Sequence, residues 1–473
     1  MRGWRTIHSK CGARHAPQTA LLLLASTAAV LLCMTSWGNG PNGVAFAKGR
    51  RTHGPDVSRE LTKLAKAEQE SLEKLYLHLH QHPELSLSEK ATSARMAQEM
   101  RDAGFDVTTN VGGFGVVGVL ENGKGPVVMI RGDMDALPIT EATGAPYAST
   151  VRTKNDRGEE VGIMHACGHD VHMTVLIGAA RLVSKLARRW SGTLVLVAQP
   201  AEEGAGGARK MIDDGLYTRF PRPDFALSVH TDAGLEAGKV GYVHGPYNAN
   251  ITRIDITVKG VGGHGAYPHT TRDPIVLASQ LVLALQTIVS REITPTDAAV
   301  VTVGSIHGGT RSNIIPDEVT LQLTVRTQKE EVRQKVVSAI KRIALGVGTA
   351  AGVPDDRLPE VTVRGVLPAV LNDTGLVDRA TKAMKRILGG DKVVYRPSTM
   401  GGDDFAIYGA VDPRVPSFMF RLGAVSAEVM ARSERDEVTL PGLHSPQFLP
   451  DKSPTIRTGV LAMSAAAIEL LSR

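Results

Sequence analysis

Residues 193–204 read TLVLVAQPAEEG. A short aliphatic and β-branched run, 193–198, stops at Gln199-Pro200 and turns into Glu202-Glu203-Gly204. A run this short, closed by Pro and Gly, predicts a buried strand whose carboxyl end carries two acids. The pattern recurs on either side. The run 127–130 leads into Arg131-Gly132-Asp133-Met134-Asp135, 225–229 ends in His230, and 115–120 is a further strand candidate. Helical spacings lie between these runs at about 172–187 and 205–214, and another at about 57–80 carries Leu61, Leu64, Leu72, Leu75 and Leu79. Strands alternating with helices predict an α/β domain with a mostly parallel, mixed sheet flanked by helices.

The texture changes near residue 250. Ile254, Ile256 and Val258 alternate with polar residues as in a half-buried strand. A helix at about 274–291, strands at 299–304 and 317–327, and a helix at about 328–346 follow. This β-α-β-β-α order predicts a small α+β, ferredoxin-like sheet with its helices on one face. From about 366 the α/β texture returns and ends in a helix at 454–472. The expected organisation is a catalytic domain in two parts, 57–248 and 365–473, interrupted by an insert at 249–364.

The amino terminus is expected to be an address. Residues 1–14 are basic, 20–34 (ALLLLASTAAVLLCM) are apolar, and Ala45-Phe46-Ala47 has the small-residue spacing of a cleavage site. These are the three regions of a secretory signal peptide over 1–47, with export to the periplasm or the outside, an uncleaved anchor being the alternative. The apolar run is shorter than the roughly 20 residues of a membrane span, and no other segment was expected to reach that length. Formal net charge is +6, from 54 bases and 48 acids. Arg2, Arg5, Lys10 and Arg14 belong to the first 47 residues, which hold no acid; the remainder has 50 bases against 48 acids. A chain so nearly neutral gives no support to nucleic-acid binding. Three cysteines exclude a disulfide framework, and after cleavage Cys167 alone remains of Cys11, Cys33 and Cys167.

Open α/β sheets place their sites at the carboxyl ends of strands, and here each such end offers a metal-type side chain. They are Asp133 and Asp135, Glu202 and Glu203, and His230, joined by His165-Ala166-Cys167-Gly168-His169-Asp170 at the start of a helix and by His444 far downstream. Cys, His and Glu together suit Zn²⁺ or a similar first-row ion, whereas Mg²⁺ or Ca²⁺ prefers oxygen alone. Neighbouring side chains in extended backbone point opposite ways, so one acid of Glu202-Glu203 can hold a metal while the other faces substrate. A carboxylate beside an activated water can take its proton and pass it to a leaving amine, which makes an amide hydrolase the expected chemistry. Arg131-Gly132-Asp133 ends an apolar strand, so burial is expected in place of integrin binding. Residues 260–265 fit G-x-G-x-x-G but run into Pro268 and Pro274 instead of a helix, which excludes a dinucleotide loop. The chain has no Pro-Cys-x-x-Cys of a deaminase and no G-x-S-x-G of a serine hydrolase.

Seven motifs follow one another in order: 131–138 (RGDMDALP), 165–172 (HACGHDVH), 201–204 (AEEG), 262–269 (GGHGAYPH), 313–317 (NIIPD), 402–405 (GDDF) and 443–446 (LHSP). Together they closely resemble the co-catalytic metallopeptidase/amidohydrolase superfamily of aminoacylase and carboxypeptidase G, in the branch of hippurate hydrolases and plant auxin-conjugate hydrolases. The resemblance spans about 60–470. It implies two divalent ions, Zn or Mn with Co or Ni as alternatives, bridged by Cys167 and completed by His169, Glu203, His230 and His444. It further implies Glu202 as general base, Asp135 as the acid that orients a metal ligand, His264 as an oxyanion stabiliser and Asn313 as a substrate contact. The insert would be the family's lid and dimerisation domain, and in some relatives the histidine matching His264 comes from the second subunit. Gly402 and Asp403 depart from the Ser and Glu usual in that motif, and Val171 stands where Gly is common. Those departures bear on substrate shape more than on the reaction.

The resemblance implies hydrolysis of the amide bond of N-acyl amino acids. A dipeptidase or carboxypeptidase on the same scaffold is the first rival, and a non-catalytic small-molecule binding protein the second.

Overall fold

The computed structural model of the chain describes residues 55–472 other than 155, 156 and 205. The expected signal peptide, 1–47, lies outside the described residues.

The strand of residues 193–198 is an interior strand of the large sheet, third from one edge. Gly192–Gln199 pairs in parallel with Val127–Asp133, which pairs in parallel with Phe225–Glu236, and that strand in turn with Ser417–Val425. Gly115–Asn122 and Asp106–Val111 extend the other flank in antiparallel fashion, so the sheet is mixed with a parallel middle. Both faces are covered, as the continuous apolar runs require. Along each strand alternate residues enter different cores. Ile130, Leu196, Leu227 and Phe420 join the core beneath the helices Pro55–Gln81, His169–Lys185, Thr374–Leu388 and Lys452–Leu471. Met129, Val195, Ala226 and Met419 join Met211, Tyr217 and Tyr408 in a second core.

The insert forms its own four-stranded antiparallel sheet, in the spatial order Ala299–His307, Glu318–Thr327, Asn250–Lys259, Glu360–Leu367. With the helices Pro274–Thr287 and Glu330–Ala350 this is the ferredoxin-like arrangement, and Ile254, Ile256, Val258, Leu281, Leu321 and Ile340 fill its core. The last strand runs to Leu367, three residues past the expected 364, because its pairing with Asn250–Lys259 continues to Leu367↔Ile251. Asp273 starts the first helix by accepting from the Ile275 N–H at 2.9 Å, with Pro274 in the first turn.

One expectation needs correcting. Pro274–Glu292 spans 19 residues with mean hydropathy 1.4, so by length and composition one helix beyond the amino terminus does reach the size of a membrane span. Its apolar character has a packing origin. Leu277, Ala278, Leu281, Leu285 and Ile288 are buried on the small sheet, while Val276 and Leu283 remain exposed on the opposite side.

Candidate active site

The strand ends converge. Gln199 closes one parallel strand, Asp133 the next, and His230 lies in the third. The turn 165–168 brings Cys167 to the same end through Gly168, whose φ is +82°. A Cβ on Gly168 would stand 2.6 Å from Thr231 Oγ1, so only glycine lets the turn press against that strand. The Thr231 hydroxyl then donates to the Cys167 carbonyl at 2.9 Å.

Cys167 is the hub. Its Sγ lies 3.5 Å from His230 Nε2 and 3.3 Å from His444 Nε2. Glu203 Oε1 is 3.2 Å from His444 Nε2 and 3.9 Å from His169 Nε2. Cys167, His169 and His230 thus make one group of converging donor atoms, and Cys167, Glu203 and His444 make a second that shares the thiol. His444 reaches the cluster from a strained residue of φ +64° that is tied down by its N–H to the Ala166 carbonyl at 2.8 Å.

The ring orientations suit metal binding. His169 Nδ1 donates to the Asp135 carbonyl at 2.7 Å and His230 Nδ1 to the Thr231 carbonyl at 2.8 Å, which leaves both Nε2 lone pairs aimed inward. His169 Nε2 and Glu203 Oε1 are buried without a hydrogen-bond partner. Two buried polar atoms left open, within a cluster of one thiol, three imidazoles and one carboxylate, are what a pair of first-row divalent cations would satisfy. Burial pushes the Cys167 thiol up, so the thiolate needs a cation beside it. Burial, aided by the neighbouring His172, pushes His230 down to about 4, which keeps it neutral as a ligand must be.

Glu202 and Glu203 diverge, but from a turn and not from the extended backbone expected: the strand ends at Gln199, Ala201 has φ +57° and Gly204 φ +89°. Glu203 turns to the histidines, while Glu202 Oε1 faces the Asp404 N–H at 3.4 Å and groups with the carboxylates of Asp403 and Asp404. Burial first, then the charges of Asp403 and Asp404, hold Glu202 well above the usual carboxylate range. A carboxyl raised in this way is suited to accept a proton and return it. Arg131, fully buried, answers the acids around it. It donates to Gln199 at 2.9 Å and to Asp404 at 3.0 Å, lies 3.3 Å from Asp403, and pairs with Asp133 at 2.5 Å. The Arg-Gly-Asp tripeptide is therefore interior, as expected.

Asp135 has a wider task than orienting one ligand. Its backbone carbonyl fixes His169, while its carboxylate accepts the Glu202 and Glu203 N–H groups at 3.0 and 2.9 Å and the Ser86 hydroxyl at 2.5 Å. Glu89 accepts the preceding N–H, that of Ala201, at 2.7 Å. Two carboxylates thus hold three successive amides of the acid-bearing turn, and Ala201 takes φ +57° to present them. Sequence reasoning missed Glu89, Ser86 and the link Asp133–His172–Thr231, in which His172 Nδ1 donates to Asp133 at 2.6 Å and Nε2 accepts the Thr231 N–H at 2.9 Å. Asp133 and His172 stood in the quoted motifs; Glu89 and Ser86 carried no local signal.

His264 and Asn313 lie elsewhere. They sit at a two-stranded antiparallel ribbon of the insert, Gly263–His264 with Ile314–Ile315, where the Gly265 N–H donates to the Asn313 carbonyl at 2.9 Å. Both are exposed, and among the described residues no hydrogen bond or ion pair joins either to the metal cluster. His264 Nδ1 accepts the Ala266 N–H at 3.0 Å, which leaves Nε2–H free to donate.

Comparison with known proteins agrees with this geometry. Residues 129–440 match the model of peptidase family M20/M25/M40. The N-acetyl-L-cysteine deacetylase of Bacillus subtilis is 39% identical over 336 residues, 70% of this chain and 76% of that protein. The hippurate hydrolase of Campylobacter jejuni is 36% identical over 343 residues, 72% of this chain and 85% of that protein. The YxeP protein of B. subtilis, a dinuclear metal-binding peptidase of the M20 family, superposes with a TM-score of 0.69 at 30% identity, covering 85% of this chain and 99% of its own. The chain belongs to peptidase family M20/M25/M40 and is a metal-dependent amidohydrolase.

Proposed function

We propose that this enzyme is exported and cleaves the amide bond between an acyl group and the nitrogen of an amino acid. The observation that carries the reading is the division of labour in the Glu202-Glu203 pair: Glu203 lies 3.2 Å from His444 Nε2 and 3.9 Å from His169 Nε2, while Glu202, although it too converges on His169, turns its Oε1 to the Asp404 N–H beside Asp403 and has a raised affinity for protons. The names of the deacetylase and hippurate hydrolase relatives support this substrate class.

Cys167, His169, Glu203, His230 and His444 would hold two divalent cations, Zn or Mn by donor type, with Co or Ni as alternatives. Bound there, the cations would supply Lewis acidity to a water and to the acyl carbonyl. Glu202 takes a proton from the attacking water and hands it to the departing amino-acid nitrogen. Asp135 and Glu89 hold the Glu202 backbone so that its carboxylate keeps that place. His264, with Nε2–H free, donates to the developing oxyanion, and Asn313 beside it contacts substrate; we propose that both act from a second copy of the chain. Exposed Val276 and Leu283 on one helix, and the edge strand Ala299–His307, support pairing through the insert. Sedimentation showing only monomer at assay concentration would remove that route.

The test of function is to reload metal-free protein with Zn, Mn, Co or Ni and assay hippurate, N-acetyl amino acids and dipeptides. Acyl amino acids should be preferred. Glu202→Gln should keep its metal and lose at least 10²-fold in kcat. Preference for dipeptides refutes the substrate class, and a Glu202→Gln enzyme within tenfold of the parent refutes the base. Export predicts that the mature chain from the cell envelope or medium begins after Ala47; a full-length cytoplasmic product would contradict it.

A further inference from the structure

The insert joins the large domain at one place. The chain enters it through residues 247–250 and leaves it through 367–371, and the two crossings are bonded side by side. The Tyr247 N–H donates to the Val370 carbonyl at 2.9 Å and the Val370 N–H to Asn248 Oδ1 at 2.7 Å. Thr327 Oγ1 donates to Asn250 Oδ1 at 2.9 Å, which ties the insert strand Glu318–Thr327 to the same point. Two adjacent crossings of this kind form a hinge.

At the hinge lies a cavity of about 770 Å³ that the catalytic reading leaves unused. One wall is the insert segment 328–331, the other comes from residues between 405 and 417 of the large domain, and residues 368–374 of the returning crossing lie between them. No metal-type donor lines it. Ser417, the first residue of its strand, does, and His230 pairs with Arg421 four residues further on, so the cavity lies toward the opposite end of the strands from the metal cluster. Buried Val370, Phe405 and Val415 give it an apolar lining.

Three charges at its edge are engaged: Lys329 with Asp297 at 2.6 Å, Glu330 with Arg333 at 2.7 Å, and Asp373 with the Leu376 N–H at 2.8 Å. Arg414 and Glu331 are not. Both are exposed, and among the described residues neither makes a hydrogen bond or ion pair; Glu331 acts on Lys329 only as a more distant charge. The open cation thus stands on the large domain and the open anion on the insert. An apolar lining between them complements a molecule with an apolar middle and a charge at each end.

We propose that this cavity binds a short apolar peptide with free ends, its carboxylate on Arg414 and its ammonium on Glu331, and that the bound peptide fixes the angle between the two domains. A guanidinium grips a carboxylate through two parallel N–H donors. A single amino acid carries both charges on one carbon, whereas each further residue separates them by about 3.3–3.6 Å, and a cavity of this size has room for more than one residue. A peptide that spans both walls favours the domain angle at which both of its charges are met. The route to the site is short. Phe405 lines the cavity, and its N–H donates at 2.8 Å to Asp403 Oδ1, on the carboxylate that groups with Glu202. The peptide is therefore an effector that acts on kcat, and its binding does not depend on the acyl-amino-acid reading above.

The probe is L-leucyl-L-leucine, with the uncharged N-acetyl-L-leucyl-L-leucinamide as control. Calorimetric titration uses full-length, metal-loaded Glu202→Gln, so that the peptide is not consumed, alone and combined with Arg414→Met or Glu331→Gln. A saturable site should appear for the free peptide and not for the capped one, and either added substitution should weaken it at least fivefold. The exchange Arg414→Glu with Glu331→Arg should restore binding, since the peptide can lie the other way round. In metal-loaded enzyme with native Glu202, the free peptide should lower kcat at saturating hippurate at least twofold, because a filled hinge opposes a change of angle during turnover. Arg414→Met and Glu331→Gln should abolish that effect and keep the parent's kcat and melting temperature without peptide, as both residues are exposed and unbonded. Equal binding of the capped peptide, no saturable binding, or purely competitive inhibition that both variants retain would overturn the site. Binding at the hinge with kcat unchanged would overturn the coupling. If the parent does not cleave hippurate, the functional reading fails, while the calorimetric result still decides whether the cavity takes the peptide.

Discussion

Glu89 offers the sharpest test of how the catalytic turn is held. Its carboxyl is buried, and burial pushes its pKa up to about 7, so near neutrality both forms are populated, and either accepts the Ala201 N–H at 2.7 Å. Replacing it with alanine leaves that buried N–H without an acceptor, at a cost of about 1–3 kcal/mol. Ala201 meanwhile keeps its φ of +57°, a conformation worth about 1–2 kcal/mol of strain in a residue with a Cβ. With the acceptor gone, the turn can release that strain by moving, and Glu202 and Glu203 move with it. A displacement near 1 Å at the reacting groups costs on the order of 10²-fold in rate. Glu89→Ala should therefore lose about 2 kcal/mol by urea denaturation and about 10²-fold in kcat, with KM little altered. Glu89→Gln keeps an oxygen in place and should stay within a few-fold of the parent. Adding Ala201→Gly to Glu89→Ala should recover part of the stability, because glycine tolerates the left-handed conformation. An active Glu89→Ala enzyme within threefold of the parent would refute the holding role. A Glu89→Gln enzyme as impaired as Glu89→Ala would show that charge, not the accepted hydrogen bond, is what matters.

Two other expectations follow from the same geometry. Cys167→Ser should bind metal at least tenfold more weakly, since a hydroxyl does not ionise as a thiol does; atomic emission showing full metal content in an active variant would remove the bridging role. The second concerns His80, buried between Asp170 Oδ2 at 2.7 Å and Glu141 Oε1 at 3.2 Å. Burial opposes its charge, but the hydrogen bonds to Asp170 and Glu141 prevail and raise its pKa to about 9. A raised folded value means stability that is complete below the ordinary pKa near 6.5 and lost as pH rises through 9, about 3 kcal/mol in all. Urea midpoints between pH 6 and 10 should therefore fall more steeply for the parent than for His80→Phe, and parallel curves would refute this.

What was legible in the sequence depended on how local the determinant was. The parallel strands were visible because burial on both faces makes each a continuous apolar run, and their ends were visible because chemistry-bearing residues interrupt those runs. Lys90–Asp102 was not visible as a helix. Its buried face is made of Thr92, Ser93, Met96, Ala97, Glu99 and Met100, too small and too polar to register as an apolar stripe. Ser417–Val425 was missed for a related reason. Arg421 stands inside an otherwise apolar strand, and only its three-dimensional neighbours, Asp232 at 3.7 Å and the Tyr247 ring beneath it, explain how the charge is accommodated.

The same distinction separates the two kinds of site residue. Donors to a first-row metal come mainly from Cys, His, Asp or Glu whatever surrounds them, so their identity and position can be read from a sequence. Residues that hold those donors act through backbone amides, and any acceptor that reaches will serve. Glu89 lies 112 positions from the N–H it receives and Asp135 lies 67 and 68 positions from its two, so no spacing rule could link them. Reaction class is therefore written in residues a motif can capture, while the turn that carries them is held by residues that only the fold brings together.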